Sequence, residues 1–390
     1  PGRMITDNIL IAYECVHKIK NTRSGRTGLC AVKLDMHKAY DRVEWSFLHD
    51  MMVKLGFHEQ WIQLMMACIS TVNYKVRFNS QETDVFTPSR GIRQGDPPSP
   101  YLFLLCAEGL SSLLQFEEAG GIEGIRVCRS APSVSHLLFT DDSLILMKAN
   151  VLNAASLQHV LEAYCESSGQ MVSLAKSSVF LSPNTPVVSR TEVCQELHID
   201  TKTLSDKYLG LSAMVGADRS DCFRHFYDII KEKLKGWMEK QLSIGGKEIL
   251  LKSVAQAIPV FAMSVFSLPK SLCKDITDLI AQFWWGDDEE HKRMHWYTWW
   301  KLCYPKCEGG MGFRDLYSFN LAMLSKQCWR LITNPDSLCA RVLKAKYFPN
   351  GRLLEATLKS EASFTWKIIM KGLETFKLGY IWRIGDWRKC

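Results

Sequence analysis

The sequence predicts an α+β chain in which strands and helices alternate over residues 29–212 and the remainder is mostly helical. Three observations carry this. Residues 134–139 and 144–147 are apolar runs joined by a short polar stretch, the signature of a β-hairpin. Between such runs lie segments of helical apolar spacing. Beyond Gly216 strand signals give way to helical periodicity, interrupted at Pro259 and Pro269.

Taken in order, residues 1–28 read as a helix and a polar turn. Residues 29–34 (Leu-Cys-Ala-Val-Lys-Leu) read as a buried strand with Asp35 at its C-terminal end. Residues 43–55 and 59–70 are helical by apolar spacing. Residues 74–79 and 81–86 read as a hairpin turning at Asn79-Ser80. Ser99 and Pro100 look like an N-cap followed by proline at the first helical position, and residues 101–116 continue as an apolar helix. Residues 154–167 form an amphipathic helix ended by Gly169. A short strand, 179–181, precedes breakers at 182–186. Helices follow at 221–241, 246–257 and 271–283, and a mixed, mostly helical tail occupies 287–390 after the acidic turn Asp287-Asp288-Glu289-Glu290.

The chemistry concentrates at the 134–147 hairpin, where Asp141 and Asp142 stand side by side at the turn. Adjacent like charges repel, and a divalent cation removes the conflict, since Mg²⁺ prefers carboxylate oxygens. Asp35 at a strand end supplies a third carboxylate. Three such groups suit two metal ions that clamp the attacking and leaving oxygens of an in-line displacement. Asp41, beside Arg42 at a helix start, reads instead as a structural ion pair or cap. Between the acids lies the loop Gly91-Ile92-Arg93-Gln94-Gly95-Asp96-Pro97-Pro98-Ser99-Pro100. Its glycines allow close backbone approach, and Gln94 both donates and accepts hydrogen bonds.

Leu34-Asp35-Met36-His37-Lys38-Ala39-Tyr40-Asp41, Gly91 to Asp96 and Phe139-Thr140-Asp141-Asp142 together resemble the palm of a reverse transcriptase. Wider wording is similar to the non-LTR (LINE-type) retrotransposon enzymes of plants. It includes Lys207-Tyr208-Leu209-Gly210, Phe283-Trp284-Trp285-Gly286 and the stretch from Gly309 to Leu316. The resemblance implies a right-hand polymerase: 1–28 a remnant of the fingers, 29–212 the palm (an antiparallel sheet with helices on one face), 213–286 a helical thumb, 287–390 a basic, Trp-rich and mostly helical C-terminal region. It implies RNA-directed DNA synthesis from an RNA template, a DNA primer and deoxynucleoside triphosphates. Two Mg²⁺, with Mn²⁺ as substitute, would be held by Asp35, Asp141, Asp142 and the backbone of Met36. Met36, His37, Lys38 and Ala39 would face the triphosphate, Tyr40 would close the sugar pocket, and Gln94 and Gly95 would border the templating base. Lys176 would lie near the leaving pyrophosphate as proton donor. A nuclear site of action also follows from the resemblance alone. A group II intron maturase is the alternative within the same class, disfavoured by the wording around Tyr208 and Trp284.

Composition agrees with these expectations. The chain has 390 residues, 47% hydrophobic and 23% charged, enough for two or three globular domains. No stretch has the length and apolarity of a membrane span. Fourteen cysteines lack a short-spaced framework, which favours reduced thiols in an intracellular compartment. The net charge of +7 is uneven: residues 291–390 hold 18 Lys+Arg and 7 Asp+Glu, a net of +11, leaving 7 − 11 = −4 for the rest. The same quarter holds seven of the twelve tryptophans. Basic and aromatic residues interleaved suit nucleic acid, although helical spacing assigns most of these tryptophans to the core. His291, His295, Cys303 and Cys307 imitate a zinc ligand set but are spaced too tightly. Gly245-Gly246-Lys247 lacks full phosphate-loop spacing and reads as a helix start.

Departures from the pattern set a second expectation. The family carries further finger strands before the segment that begins at Pro1. Thr140 replaces a usual alanine as a strand-tolerated residue, Pro98 stands where leucine is common, and His37 replaces a small residue. The alternative is thus a catalytically inactive retroelement remnant that at most binds RNA, and weak or no polymerization is expected of this piece of chain alone.

Overall fold

The computed structural model describes residues 3–118, 121–199, 207–209, 211–212, 219–238, 242–286, 293–358 and 361–380. The chain forms two compact units, Glu14–Leu209 and Pro1–Tyr13 with Gly210–Cys390, so the division falls within helix α1 (Ile5–Asn21).

In the Glu14–Leu209 unit, α1 leads into strand β1 (Gly28–Asp35). Helices α2 (Trp45–Lys54) and α3 (Glu59–Ser70) follow, then a small hairpin, β2 (Arg77–Phe78) and β3 (Gln81–Glu82). Its turn residues Asn79 and Ser80 both have positive φ, 47° and 66°, as a tight two-residue hairpin requires. Helix α4 (Ser99–Glu118), strands β4 (His136–Phe139) and β5 (Asp142–Ala149), and helix α5 (Val151–Ser168) come next. Strand β6 (Ser178–Leu181), helix α6 (Val187–Leu197) and strand β7 (Lys207–Tyr208) complete the unit. The four-stranded sheet runs β4-β5-β1-β6, antiparallel throughout. Alternation along β1 decides its faces. Cys30, Val32 and Leu34 pack with Leu110 and Leu114 of α4 and Leu157 and Val160 of α5 in one core. Ala31, Lys33 and Asp35 therefore share the opposite face.

Helix α4 begins one residue earlier than its sequence suggested. The Leu102 amide bonds the Pro98 carbonyl at 3.1 Å, so Pro98 holds the cap position and Ser99 lies inside the helix. Helix α6 was not foreseen, because Val187 and Val188 point to solvent and blur its apolar stripe. Asp41 caps nothing: α2 starts at Trp45, and the Arg42 guanidinium donates to the Gly169 carbonyl at 2.9 Å.

The other unit continues with β8 (Leu211–Ser212) and helices α7 (Arg219–Met238) and α8 (Ile244–Leu250). Ser243 caps α8 by accepting from the Gly246 amide, so the glycine pair is the expected helix start. A π-turn at Leu251–Ala255 breaks the continuous helix expected to residue 257, with the Gln256 amide reaching back five residues to Leu251. Helices α9 (Val260–Met263), α10 (Lys270–Trp285), α11 (Trp299–Cys303), α12 (Leu316–Thr333), α13 (Leu338–Tyr347) and α14 (Phe364–Gly379) follow. Pro259 and Pro269 stand at helix starts, where proline belongs. Buried Asn320 donates to the Met263 and Phe266 carbonyls and accepts from the Leu268 amide, fixing the chain after α9 onto α12. Gly372 lets α14 approach α12, since a Cβ there would meet the Leu324 backbone at 2.8 Å.

The tryptophans of the tail divide, against the expectation that most are core. Trp366 is fully buried and stacks on Tyr347. Trp299 is half-buried against Phe313, whereas Trp296, Trp300 and Trp329 are exposed. A helix as short as α11 packs one face only, so of the neighbours Trp299 and Trp300 one must face water. Trp382 and Trp387 lie outside the described residues, as do the acidic turn at 287–290, His291 and Gly210. His295 stacks on Trp285, and no His/Cys/Asp/Glu group suited to a metal is found among the described residues. Nor does a disulfide join the described cysteines. No helix among those residues is long and apolar enough to cross a membrane.

Candidate active site

The site lies on the sheet face opposite the α4 and α5 core, at the end where β1 stops and β5 begins. Asp35 is the last residue of β1 and pairs directly with Asp142, the first residue of β5. Side chains of a directly opposed pair stand on the same face, with Cβ atoms about 4.5–5.5 Å apart. Asp141 lies in the two-residue turn between β4 and β5.

That turn is strained. Thr140 has φ +49°, a value rarely adopted by a β-branched residue. Thr140 is thus a turn residue and not the strand residue its β-branching suggested. Its hydroxyl proton is shared between the Phe139 carbonyl at 2.7 Å and the Asp141 carboxylate at 2.9 Å. The side chain that strains the turn also aims the acid.

A cleft of about 490 Å³ opens beside these residues, lined by Asp35, Met36, Lys38, Ala39, Tyr40, Asp41, Gln94, Gly95, Pro100, Thr140, Asp141 and Lys176. The cleft gathers nine of the eleven residues expected to serve the site. His37 does not line it; its side chain is exposed and its amide bonds the Met171 carbonyl. Asp142 is set behind the cleft, against Lys33. Asp41 lines the cleft, a placement the sequence did not suggest.

Three supports hold the cleft wall. The turn from Lys38 to Asp41 closes with the Asp41 amide on the Lys38 carbonyl at 3.0 Å, and Lys38 has φ +50°. Buried Gln170 donates to the Ala39 carbonyl at 2.8 Å. The Tyr40 ring stacks on Phe103 of α4 at 4.8 Å, nearly parallel. The Gln94 loop is tied on by the Ile92 amide to the Tyr40 carbonyl and by the Gly91 amide to the Val43 carbonyl. Trp45 Nε1 completes the tie, donating to the Gly91 carbonyl at 2.7 Å.

Each carboxylate has its own partner. Lys176 lies 3.7 Å from Asp35, and Lys33 lies 3.8 Å from Asp142. Burial raises the Asp142 carboxyl above the usual carboxylate range; Lys33 opposes this, while Asp141 and Asp35 add to it. Burial, and then the Asp141 charge, likewise raise the Tyr40 phenol. Among the described residues no three acids already converge as a closed ligand shell. The donor set nevertheless fits hard divalent cations: three carboxylates stand at one end of the sheet, and the charges of Asp141 and Asp35 add to the raising of the Asp142 carboxyl. Lys33 was missed by sequence reading. Its signal was a lysine two residues before Asp35, hence on the same strand face, in an otherwise apolar strand.

The reverse transcriptase (RNA-dependent DNA polymerase) profile matches residues 1–213. The chain belongs to that family. Its relatives are of the non-LTR retrotransposon type. This reverse transcriptase chain is 24% identical over 338 residues to the 149 kDa protein of transposon TX1 of Xenopus laevis, covering 84% of the chain and 24% of that protein. It is 29% identical over 161 residues to the Pol polyprotein of the type-1 retrotransposable element R2 of Popillia japonica, covering 41% and 21%. An uncharacterized mitochondrial protein of Arabidopsis thaliana is 42% identical over 131 residues, 33% of this chain and 85% of that protein. The chain thus spans most of the mitochondrial protein but under a quarter of the two retroelement proteins. A solved telomerase of Candida tropicalis, in complex with a fragment of telomeric RNA, is similar at a TM-score of 0.39 and 14% identity over 87% of this chain and 52% of its own.

Proposed function

We propose that this reverse transcriptase extends a DNA primer on an RNA template. The observation that carries the reading is the direct pairing of Asp35 with Asp142, with Asp141 in the adjoining turn and the cleft alongside. Asp35, Asp141 and Asp142, with the Met36 backbone, would hold two divalent cations, Mg²⁺ or Mn²⁺. Bound there, such ions supply the charge that stabilises the attacking and leaving oxygens of an in-line displacement at the α-phosphorus. The other roles belong to the chain. Tyr40, held flat by Phe103, walls the sugar pocket, and Gln94 and Gly95 border the base pair being formed. Lys176 lies on the Asp35 side of the cleft, placed to give a proton to the departing pyrophosphate. In this reading residues 29–212 are the palm, 213–286 the thumb, and the protein acts in the nucleus.

The test is primer extension on an RNA template with Mg²⁺, comparing the chain with Asp141→Asn. Extension by the parent and its loss in the variant support the proposal. Equal signal from the two proteins defeats it, as does no signal from a chain shown to be folded and saturated with primer–template.

A further inference from the structure

The exposed aromatics around α11 form a surface the polymerase cleft does not use. Trp296, Tyr297, Trp300 and Tyr304 are 74%, 57%, 60% and 42% exposed, all within nine residues. So much aromatic surface left in water by one short segment marks an interaction site. The segment is also tied together by its own contacts. Trp300 Nε1 donates to the Tyr304 hydroxyl at 3.2 Å, with the two rings edge to face. Beneath them Trp299 stacks on Phe313, and the Met311 and Phe313 amides both bond the Leu302 carbonyl. Gly310 makes this seat possible, because a Cβ there would lie 2.0 Å from the Tyr304 carbonyl oxygen. The glycine-rich stretch from Gly309 to Gly312 thus holds an aromatic ledge in place.

The ledge is flanked by cations. Lys301 sits over the Tyr297 ring at 5.9 Å and Arg293 precedes the ledge in sequence, while Lys306 beyond its other end is paired with Glu248 at 2.8 Å. Residues 291–390 carry a net of 18 − 7 = +11. Flat aromatic faces interleaved with lysine and arginine match one kind of partner: single-stranded nucleic acid, whose bases stack while its phosphates meet the cations.

We propose that Trp296, Tyr297, Trp300 and Tyr304, with Arg293 and Lys301, form a stacking ledge for single-stranded nucleic acid outside the polymerase cleft. The proposal takes its partner class from the polymerase reading, yet its test does not need polymerization. The full chain and its Trp296→Ala/Trp300→Ala variant are titrated into fluorescently labelled oligouridylate and oligothymidylate, which separates RNA from DNA. Because the replaced residues are exposed, the variant's circular dichroism and melting temperature should match the parent's. The ledge predicts binding at least tenfold weaker in the variant, and weaker binding with a shallower salt dependence in Lys301→Glu. Unchanged affinity in the double variant overturns it. So does a parent chain that binds neither oligomer but self-associates through this face, with the double variant monomeric in sedimentation. A parent chain that binds the oligomers through Trp296 and Trp300 yet extends no primer tells against the cleft and not the ledge.

Discussion

Gly91 and Gly95 both have positive φ, +88° and +103°, yet alanine should be costly at one and mild at the other. An L-residue in that region costs roughly 1–2 kcal/mol at either site. At Gly95 nothing lies within 4 Å of a built Cβ, so the cost ends there. At Gly91 the new Cβ would meet the Asp41 carbonyl oxygen at 2.8 Å, and backbone cannot swing away. Relief must pull the loop outward, stretching the Trp45 to Gly91 bond of 2.7 Å and the Gly91 to Val43 bond of 2.8 Å. Each is worth about 0.5–1.5 kcal/mol, so Gly91→Ala should cost about 2–5 kcal/mol. In a unit of this size that is a loss of roughly 4–20 °C in melting temperature, against roughly 2–8 °C for Gly95→Ala. Calorimetry of the two variants checks this. Because Gly91 anchors the loop that carries Gln94, KM for the nucleotide should rise with the stability loss in Gly91→Ala. Equal melting shifts in the two variants would refute the close-approach argument.

Two further predictions concern the other unit. Trp366→Ala should lose about 3–5 kcal/mol in urea unfolding, since it empties a fully buried site stacked on Tyr347 at 4.3 Å. Trp366→Phe should lose much less, because the buried indole N–H of Trp366 has no hydrogen-bond partner to forfeit. Arg330 grips Asp7 through two bonds of 3.0 and 2.9 Å, and both side chains are largely buried. Arg330→Ala should therefore cost about 3 kcal/mol, and Arg330→Lys should restore less than half of it, because lysine cannot make the paired contact. A lysine variant as stable as the parent would show that charge alone matters there.

The sheet and its acids were legible because period-2 patterning fixes which residues share a face. Asp35 at a strand end and Asp141-Asp142 at a hairpin turn had to meet once β1 and β5 paired. What surrounds them was not legible. The sequence does not show that Thr140 takes a left-handed conformation, because that depends on the turn having only two residues. The Pro98 cap was hidden by a stronger local signal, Ser99 before Pro100. Helical spacing suggests that Trp300 is core, yet the five-residue α11 packs one face only and leaves it in water. The motif assigns the His37 backbone to the triphosphate, and that its exposed side chain lies outside the cleft lined by Lys38 and Ala39 depends on the turn, which no pattern shows.

The two lysines that meet the carboxylates do different work, and their exposure separates them. Lys176 is 70% exposed and Lys33 is 14% exposed. An exposed pair costs little to open, so Lys176 can leave Asp35 for a triphosphate without disturbing the fold. Lys33 cannot leave Asp142 without stranding a half-buried carboxylate. Lys176→Met should therefore leave stability within about 0.5 kcal/mol while lowering kcat. Lys33→Met should act through protonation. The Asp142 carboxyl already titrates above its ordinary value, and Lys33 is the cation holding it down. Removing Lys33 raises that value further, so a higher pH is needed to ionise Asp142. The acid limb of the primer-extension profile should then move to higher pH in Lys33→Met and stay in place in Lys176→Met. If the limb moves in Lys176→Met alone, Asp35 and not Asp142 sets it, and the assignment of the two lysines must be exchanged.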